Sequence, residues 1–271
     1  MNAYTDFAEV YDTFMDNLPY EEWADVMDGL IRRWYESPGG EQKQDGGKLS
    51  VVDLGCGTGV ITRLMAKKGY DMMGVDLSAD MLAVAVRHQE AEASAPLYVC
   101  QDMCSLDLGA AADVFISAGD CVNYLLEDQD LEDMFEGVYR HLVPGGLYIF
   151  DFNTLHKYRD VIGEATIAES RENCAFIWEN WFDGDTRINE YNVTIFAASE
   201  ESDREELSEG RGVFLRSTET HYQKGYTTSE MTDLAEKAGF ETMQILDGDD
   251  HGPEREDSGR VRIVLRRRKD L

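Results

Sequence analysis

Val51-Val52-Asp53-Leu54-Gly55-Cys56-Gly57-Thr58-Gly59 is the stretch whose reading decides the fold. An apolar run ends in an acid, and a loop with glycines at alternate positions follows. Ile61, Leu64 and Met65 then fall at helical spacing. This predicts a strand, a tight turn and a helix. Glycines let a backbone come close to a ligand, and a helix start presents free N–H groups. A nucleotide-like ligand is therefore expected at this turn. The dinucleotide pattern G-x-G-x-x-G would put its third glycine at Val60; here the spacing is G-x-G-x-G, with Asp53 ahead of it.

Working outward, the same alternation continues. A helix is predicted over about 58–67, a strand over 70–75 ending at Asp76, and a helix over about 79–91. Strands follow at 97–100 and 113–117, then a helix through Leu131, Met134, Phe135, Val138 and Leu142. Pro144-Gly145-Gly146 stops that helix, and 147–151 is a fifth strand. Strands alternating with helices mean a parallel sheet covered on both faces. At about residue 154 the pattern changes. A short helical piece, His156 to Val161, leads into three β-branched and aromatic runs at roughly 174–183, 187–197 and 211–222. Asp183-Gly184-Asp185 is a hairpin signal, and the acidic run from Glu200 to Glu209 is a solvated loop. The α/β pattern resumes with a helix through Met231, Leu234, Ala235 and Ala238, closed by Gly239, and strands at 240–246 and 260–267.

Ahead of the decisive stretch lie two helices. Tyr4, Phe7, Tyr11, Phe14 and Met15 give the first an aromatic face. Trp23, Val26, Met27, Leu30, Ile31 and Trp34 give the second a regular apolar stripe. Core packing and a lid over a ligand both explain such faces. A Gly-rich loop spans Ser37 to Gly47.

Composition narrows the class. Lys plus Arg total 25 against 54 Asp plus Glu, a formal net charge of −29. Such a chain opposes non-specific binding to nucleic acid, which needs a basic surface. The one dense basic run, Arg266-Arg267-Arg268-Lys269, has the character of a solubilising strand end. Cys56, Cys100, Cys104, Cys121 and Cys174 are odd in number and contain no CxxC, which points to free thiols in a reducing, cytoplasmic setting. His88, His141, His156, His221 and His251 are scattered, so no metal site is expected. No apolar run approaches the ~18 residues of a membrane span.

Carboxylates recur at predicted strand ends. Asp76 can accept from ribose hydroxyls, and Asp102-Met103 stands where an adenine amino group can be met. Ser117-Ala118-Gly119-Asp120 ends the fourth strand at the central crevice, the usual ligand site of open α/β sheets. Together these features resemble the class I S-adenosylmethionine-dependent methyltransferases, with Val51 to Gly59 similar to their motif I and Asp76 to their ribose-binding acid. The resemblance implies a Rossmann-like sheet of seven strands, the last antiparallel to the rest, here carrying an inserted antiparallel β-sheet. It implies S-adenosyl-L-methionine as cofactor, held by Tyr11, Trp23, Asp53, Gly55, Cys56, Gly57, Asp76, Leu77, Met81, Asp102, Met103 and Ala118.

A finer resemblance is to small-molecule methyltransferases: amino-sugar N,N-dimethyltransferases, glycine and sarcosine N-methyltransferases, and bacterial YqeM-like proteins. It rests on Tyr4, Phe7-Ala8, Tyr11-Asp12, Met15, Tyr20 and Trp23. Asn123-Tyr124-Leu125 and Glu219-Thr220-His221-Tyr222-Gln223 fit the YqeM-like group best. The implied organisation is an N-terminal helical lid (1–40), a cofactor-binding core (48–153 and 226–271) and an inserted sheet (154–225) serving substrate or dimer contacts. The expected reaction is methyl transfer to a nitrogen or oxygen of a small molecule. RNA or protein methylation, or a non-catalytic cofactor-binding scaffold, are the alternatives.

Candidates for the acceptor side are Tyr11, Asp120, Asn123, Tyr124, His156, His221 and Tyr222. Plainer roles stand beside these: helix capping for Asp120 and Asn123, strand packing for His221, a helix-surface role for His156 and space-filling for Cys56.

Overall fold

The computed structural model describes residues 8–35, 47–89, 95–199, 202, 207 and 212–269. Tyr4, Phe7, the loop from 36 to 46, the expected helix end at 90–91 and most of the acidic run lie outside the described residues.

Two helices, α1 (Ala8–Phe14) and α2 (Tyr20–Trp34), precede β1 (Ser50–Leu54). Then come α3 (Val60–Lys67), β2 (Asp71–Asp76), α4 (Ala79–Arg87), β3 (Leu97–Cys100), β4 (Ala112–Ser117), α5 (Asp128–His141) and β5 (Leu142–Asn153). The insert holds β6 (Thr166–Ser170), β7 (Cys174–Asp183), β8 (Ile188–Ala198) and β9 (Phe214–Lys224). The chain closes with α6 (Thr228–Lys237), β10 (Phe240–Asp247) and β11 (Arg260–Arg267).

The large sheet has the order β3-β2-β1-β4-β5-β11-β10. β1 pairs in parallel with β2 and β4, β2 with β3, and β4 with β5. β11 runs antiparallel to both β5 and β10, so the expected seven-stranded sheet with its reversed last strand is the observed one.

Period-two alternation sends neighbours to opposite faces. Val52, Phe115 and Tyr148 join a core with Phe135 of α5 and Met231 of α6. Val51, Val114 and Leu147 join another with Met27 and Ile31 of α2 and Met65 of α3. Each such side chain, fully buried, contributes about 1.5–3 kcal/mol, and covering both faces is what a parallel sheet requires. Of the stretch expected as a lid, α2 therefore lies in the core, whereas α1 packs on α4 and on the insert.

Two details differ from expectation. Pro144-Gly145-Gly146 lies inside β5 rather than ahead of it. The turn shows instead as a register jump, from Ala112 opposite Leu142 to Val114 opposite Leu147. The insert has four strands rather than three, in the order β6-β7-β8-β9. Thr166-Ile167-Ala168-Glu169-Ser170 is a short, largely exposed edge strand, so it needs no apolar alternation and shows none.

Candidate active site

Strand order reverses between β1 and β4, and their carboxyl ends open the crevice. The β1–α3 loop turns tightly there. Gly55 and Cys56 donate their N–H groups to Val75 O at 2.7 and 3.1 Å, which ties the loop to β2. Gly55, Gly57 and Gly59 have φ of 76°, 53° and 75°, left-handed values that favour glycine. A Cβ on Gly55 would strike Cys121, and one on Gly59 would strike Tyr98. A Cβ on Gly57 would meet nothing within 4 Å. Gly55 and Gly59 are thus glycines for packing, whereas Gly57 borders open space.

The two strand-end acids behave differently. Asp53 is 2% exposed, and its Oδ2 accepts from Thr62 Oγ1 at 2.5 Å. Burial pushes its carboxyl up to about 7, against the Thr62 bond and with the charge of Asp76 adding to the rise. Asp76 accepts from Gly57 N at 2.7 Å on Oδ2 and from Ser78 N at 2.8 Å on Oδ1. Burial raises its pKa, opposed by these backbone bonds. Two bonds use half of the roughly four lone-pair sites of a carboxylate. The remainder can take the two hydroxyls of a ribose.

Around this pair, Leu77 is 70% exposed, a large apolar side chain able to cover a flat base. Met103 packs beside Gly55. Asp102 is exposed and caps its own short turn by accepting from Cys104 N at 2.9 Å. Ala118 is half-buried at the end of β4. Met81 is buried with Val84 against Tyr11 of α1. Burial drives the Cys56 thiol well up, so it is no nucleophile. Trp23 is buried in the α2 core face, with Tyr20 edge-on to it and the Arg260 guanidinium 5.3 Å above its ring.

α1 bridges the two sheets. Asp12 accepts from Thr58 Oγ1 at 2.6 Å and faces His88 Nδ1 at 3.3 Å, both on the core. Arg171 of the insert donates to both oxygens of Asp16 at 2.9 and 3.1 Å. Phe14 meets Phe176 of β7 edge-to-face at 4.8 Å, and Tyr11 packs against this aromatic cluster as well as Met81.

The acceptor-side candidates separate into groups. Asp120 has φ of 58°, a strained value for a residue with a side chain. Arg260 Nη2 and Gln223 Nε2 donate to its carboxylate at 2.8 and 2.9 Å. Burial raises its pKa, and Arg260 opposes the rise. Behind it Asp151 is fully buried, accepts from Gly119 N and Asp120 N, and pairs with Arg260 at 2.9 Å and Arg262 at 3.2 Å. Burial would push Asp151 up, but the two guanidiniums hold it below the ordinary carboxyl range.

Asn123 is wholly buried. It donates to Asn153 O and Lys224 O at 2.8 Å each and accepts from Asn153 N at 2.9 Å. It clamps β5 to β9. His156 pairs with Asp160 at 2.9 Å, and Tyr222 is on the face of β9 opposite His221.

Tyr124 and His221 do meet, and they meet on a residue the sequence did not single out. Tyr124 Oη lies 2.5 Å from Tyr191 Oη and 3.4 Å from His221 Nδ1. Tyr191 stacks on His221 with centroids 4.9 Å apart, and the Asp120 carboxylate is near it. Its signal was faint. Tyr191 keeps phase with Val193 and Ile195 on β8, which marks a buried face but not what that face looks toward.

The glycine loop and the strands around it match a known domain. Residues 51–146 match a family model described as a methyltransferase domain. The chain carries a methyltransferase domain. It is similar to YqeM of Bacillus subtilis (strain 168), a methyltransferase by name, at 29% identity over 89% of this chain and 88% of that protein. Among solved structures, an S-adenosylmethionine-dependent methyltransferase from Clostridium acetobutylicum ATCC 824 has a TM-score of 0.80 at 22% identity, covering 98% of this chain and 100% of that one. The sugar N-methyltransferase KedS8 from Streptoalloteichus sp. has a TM-score of 0.71 at 19% identity, covering 96% and 93%. These likenesses extend the methyltransferase fold across the insert and α1. Methyl transfer is the activity class of this enzyme, and no helix among its described residues is long and apolar enough to cross a membrane.

Proposed function

We propose that this methyltransferase takes its methyl group from S-adenosylmethionine and delivers it to a nitrogen or oxygen of a small molecule. The observation that carries the donor is the open cradle at Gly57 beside a carboxylate with lone pairs to spare, Asp76. The cofactor supplies a methyl group on an already activated sulfonium. The chain's own work is therefore placement and exclusion of water. Asp76 orients the ribose, Leu77 and Met103 flank the base, and the backbone at Gly57 lets the amino-acid end approach. Asp53, beneath the loop, anchors the start of the following helix through Thr62. Tyr11, on α1, closes the mouth with an aromatic face suited to a cation.

A small acceptor is supported by the packing of α1 on both the core and the insert, and by neighbours such as the sugar N-methyltransferase. Net charge opposes RNA. Calorimetry with S-adenosylhomocysteine tests the donor. Micromolar binding is expected, and Asp76→Ala should weaken it roughly 10- to 100-fold, the loss of hydrogen bonds to a charged group. An unchanged affinity would mean the ribose lies elsewhere.

A further inference from the structure

Tyr124, His221 and Glu219 form a line leading inward from the crevice. Tyr124 ends the turn after β4 and is half-buried. His221 and Glu219 are two residues apart on β9, so they share its inner face. The His221 side chain has 0% exposure and that of Glu219 8%. His221 Nδ1 faces Tyr124 Oη at 3.4 Å, and His221 Nε2 faces Glu219 Oε2 at 3.3 Å. Both distances are long, as such bonds often are before a ligand draws them in.

The groups packed around the imidazole are Tyr124 after β4, Tyr191 of β8 and Glu219 of β9 itself. Tyr11 of α1, Tyr158 and Asp120 are near Tyr191, the ring that stacks on it. Arg216 and Lys224 occupy alternate positions on the other face of β9.

Hydrogen-bond capacity sets a direction along this line. A tyrosine hydroxyl has one proton to give and two lone pairs. Tyr191 can donate to Tyr124 Oη, and Tyr124 can then donate to His221 Nδ1. That leaves the His221 proton on Nε2, 3.3 Å from Glu219 Oε2, a proximity of charge rather than a formed hydrogen bond. A buried carboxylate and imidazole are costly where an apolar pair would hold two sheets together as well. The neighbouring inner-face positions on β8, Val193 and Ile195, are apolar.

We propose, on the methyl-transfer reading above, that Tyr124, His221 and Glu219 are a proton relay, and that the acceptor is a hydroxyl or ammonium group that carries its proton at neutral pH. As the acceptor atom bonds to the methyl carbon, the carbon–sulfur bond breaks and its electron pair stays on sulfur. The acceptor's proton passes to Tyr124 Oη, ahead of bond formation where the acceptor is an ammonium, because its nitrogen has no lone pair until then. The proton already on Tyr124 passes to His221 Nδ1, and the imidazolium is held against the Glu219 carboxylate. Tyr124 is the catalytic residue; His221 and Glu219 act through it.

Nitrogen NMR of the full chain labelled at histidine, with His221→Gln for assignment, reads the relay without any acceptor. The His221 tautomer protonated on Nε2 is expected. Tyr124→Phe, which removes only one oxygen, should move the Nδ1 resonance, and Glu219→Gln should move the Nε2 resonance. The opposite tautomer, or resonances that answer to neither change, overturns the relay. Labelled S-adenosylmethionine offered with a mixture of phenols, alcohols and amines reads the consequence. His221→Gln should reduce transfer on the order of 100-fold at pH 7, with the deficit shrinking once the acceptor ionises unaided. An equal deficit at every pH would make His221 merely structural. Absent binding of S-adenosylhomocysteine would remove the donor assignment, while the histidine spectra would still judge the relay.

Discussion

Asp53 illustrates how a single residue can be both fold and chemistry. It is buried under the glycine loop with Thr62 as its hydrogen-bond donor, and burial raises its pKa from 3.8 to about 7. The folded state therefore holds this proton more tightly than the unfolded chain does. The stabilisation is complete below about pH 4 and is lost as pH rises through about 7. Its size is on the order of 4 kcal/mol, from 1.36 kcal/mol per pKa unit. Asp53→Asn removes the titration. Denaturant unfolding should show the variant gaining on the wild type between pH 4 and pH 8, and a constant difference across that range would refute the buried, protonated carboxyl. The role of the loop residues was legible because a strand, an acid and alternate glycines act locally. The division of labour among the glycines was not, since Cys121 and Tyr98 reach the loop from distant parts of the chain.

Among the elements, α1 depends most on its surroundings. Its 7 residues are far fewer than the ~12–15 an isolated helix needs in water. What fixes it is Phe14 on Phe176, Tyr11 on Met81, and ion pairs at Asp12 and Asp16 that join it to the core and the insert. Asp12→Ala should free one end. Amide exchange across residues 8–14 should accelerate, while global stability falls by less than ~1 kcal/mol, as for exposed pairs. Unaltered protection of α1 would mean that its aromatic contacts suffice. The helix itself was readable from its aromatic spacing. That α2, with the more regular stripe, is core while α1 joins α4 to the insert was not, because both patterns state only that one face is buried. The edge strand β6 left no trace for the complementary reason: it buries almost nothing.

At the scale of the molecule, two sheets are joined by polar rather than apolar devices. Asn123 clamps β5 to β9, and Asp151, Arg260, Arg262 and Asp120 make a buried ion network under the crevice floor. Removing the central carboxylate leaves two buried guanidiniums without it. Asp151→Asn should therefore cost about 3–5 kcal/mol in urea unfolding, and it should also loosen the strained backbone at Asp120. A loss under 1 kcal/mol would show that water or Asp120 compensates. The network had a sign in the sequence, since Arg260 and Arg262 alternate with Val261 and Ile263 in a strand otherwise destined for the core. Their partners could not be named without the pairing of β11 with β5.

By itself the sequence determined the class I sheet, the place of the glycine loop on it and the acids Asp53 and Asp76, because periodicity and short spacing are properties of neighbouring residues. The tertiary structure alone decided that Asn123 is a clamp, that Asp120 is held in an ion network, and that Tyr124, Tyr191, His221 and Glu219 form one cluster. Those contacts join positions far apart in the chain, 97 residues for Tyr124 and His221 and 140 for Asp120 and Arg260. They depend on the register of β8 against β9 and on the way the insert folds back over the crevice, and both are set by long-range packing that local spacing does not encode.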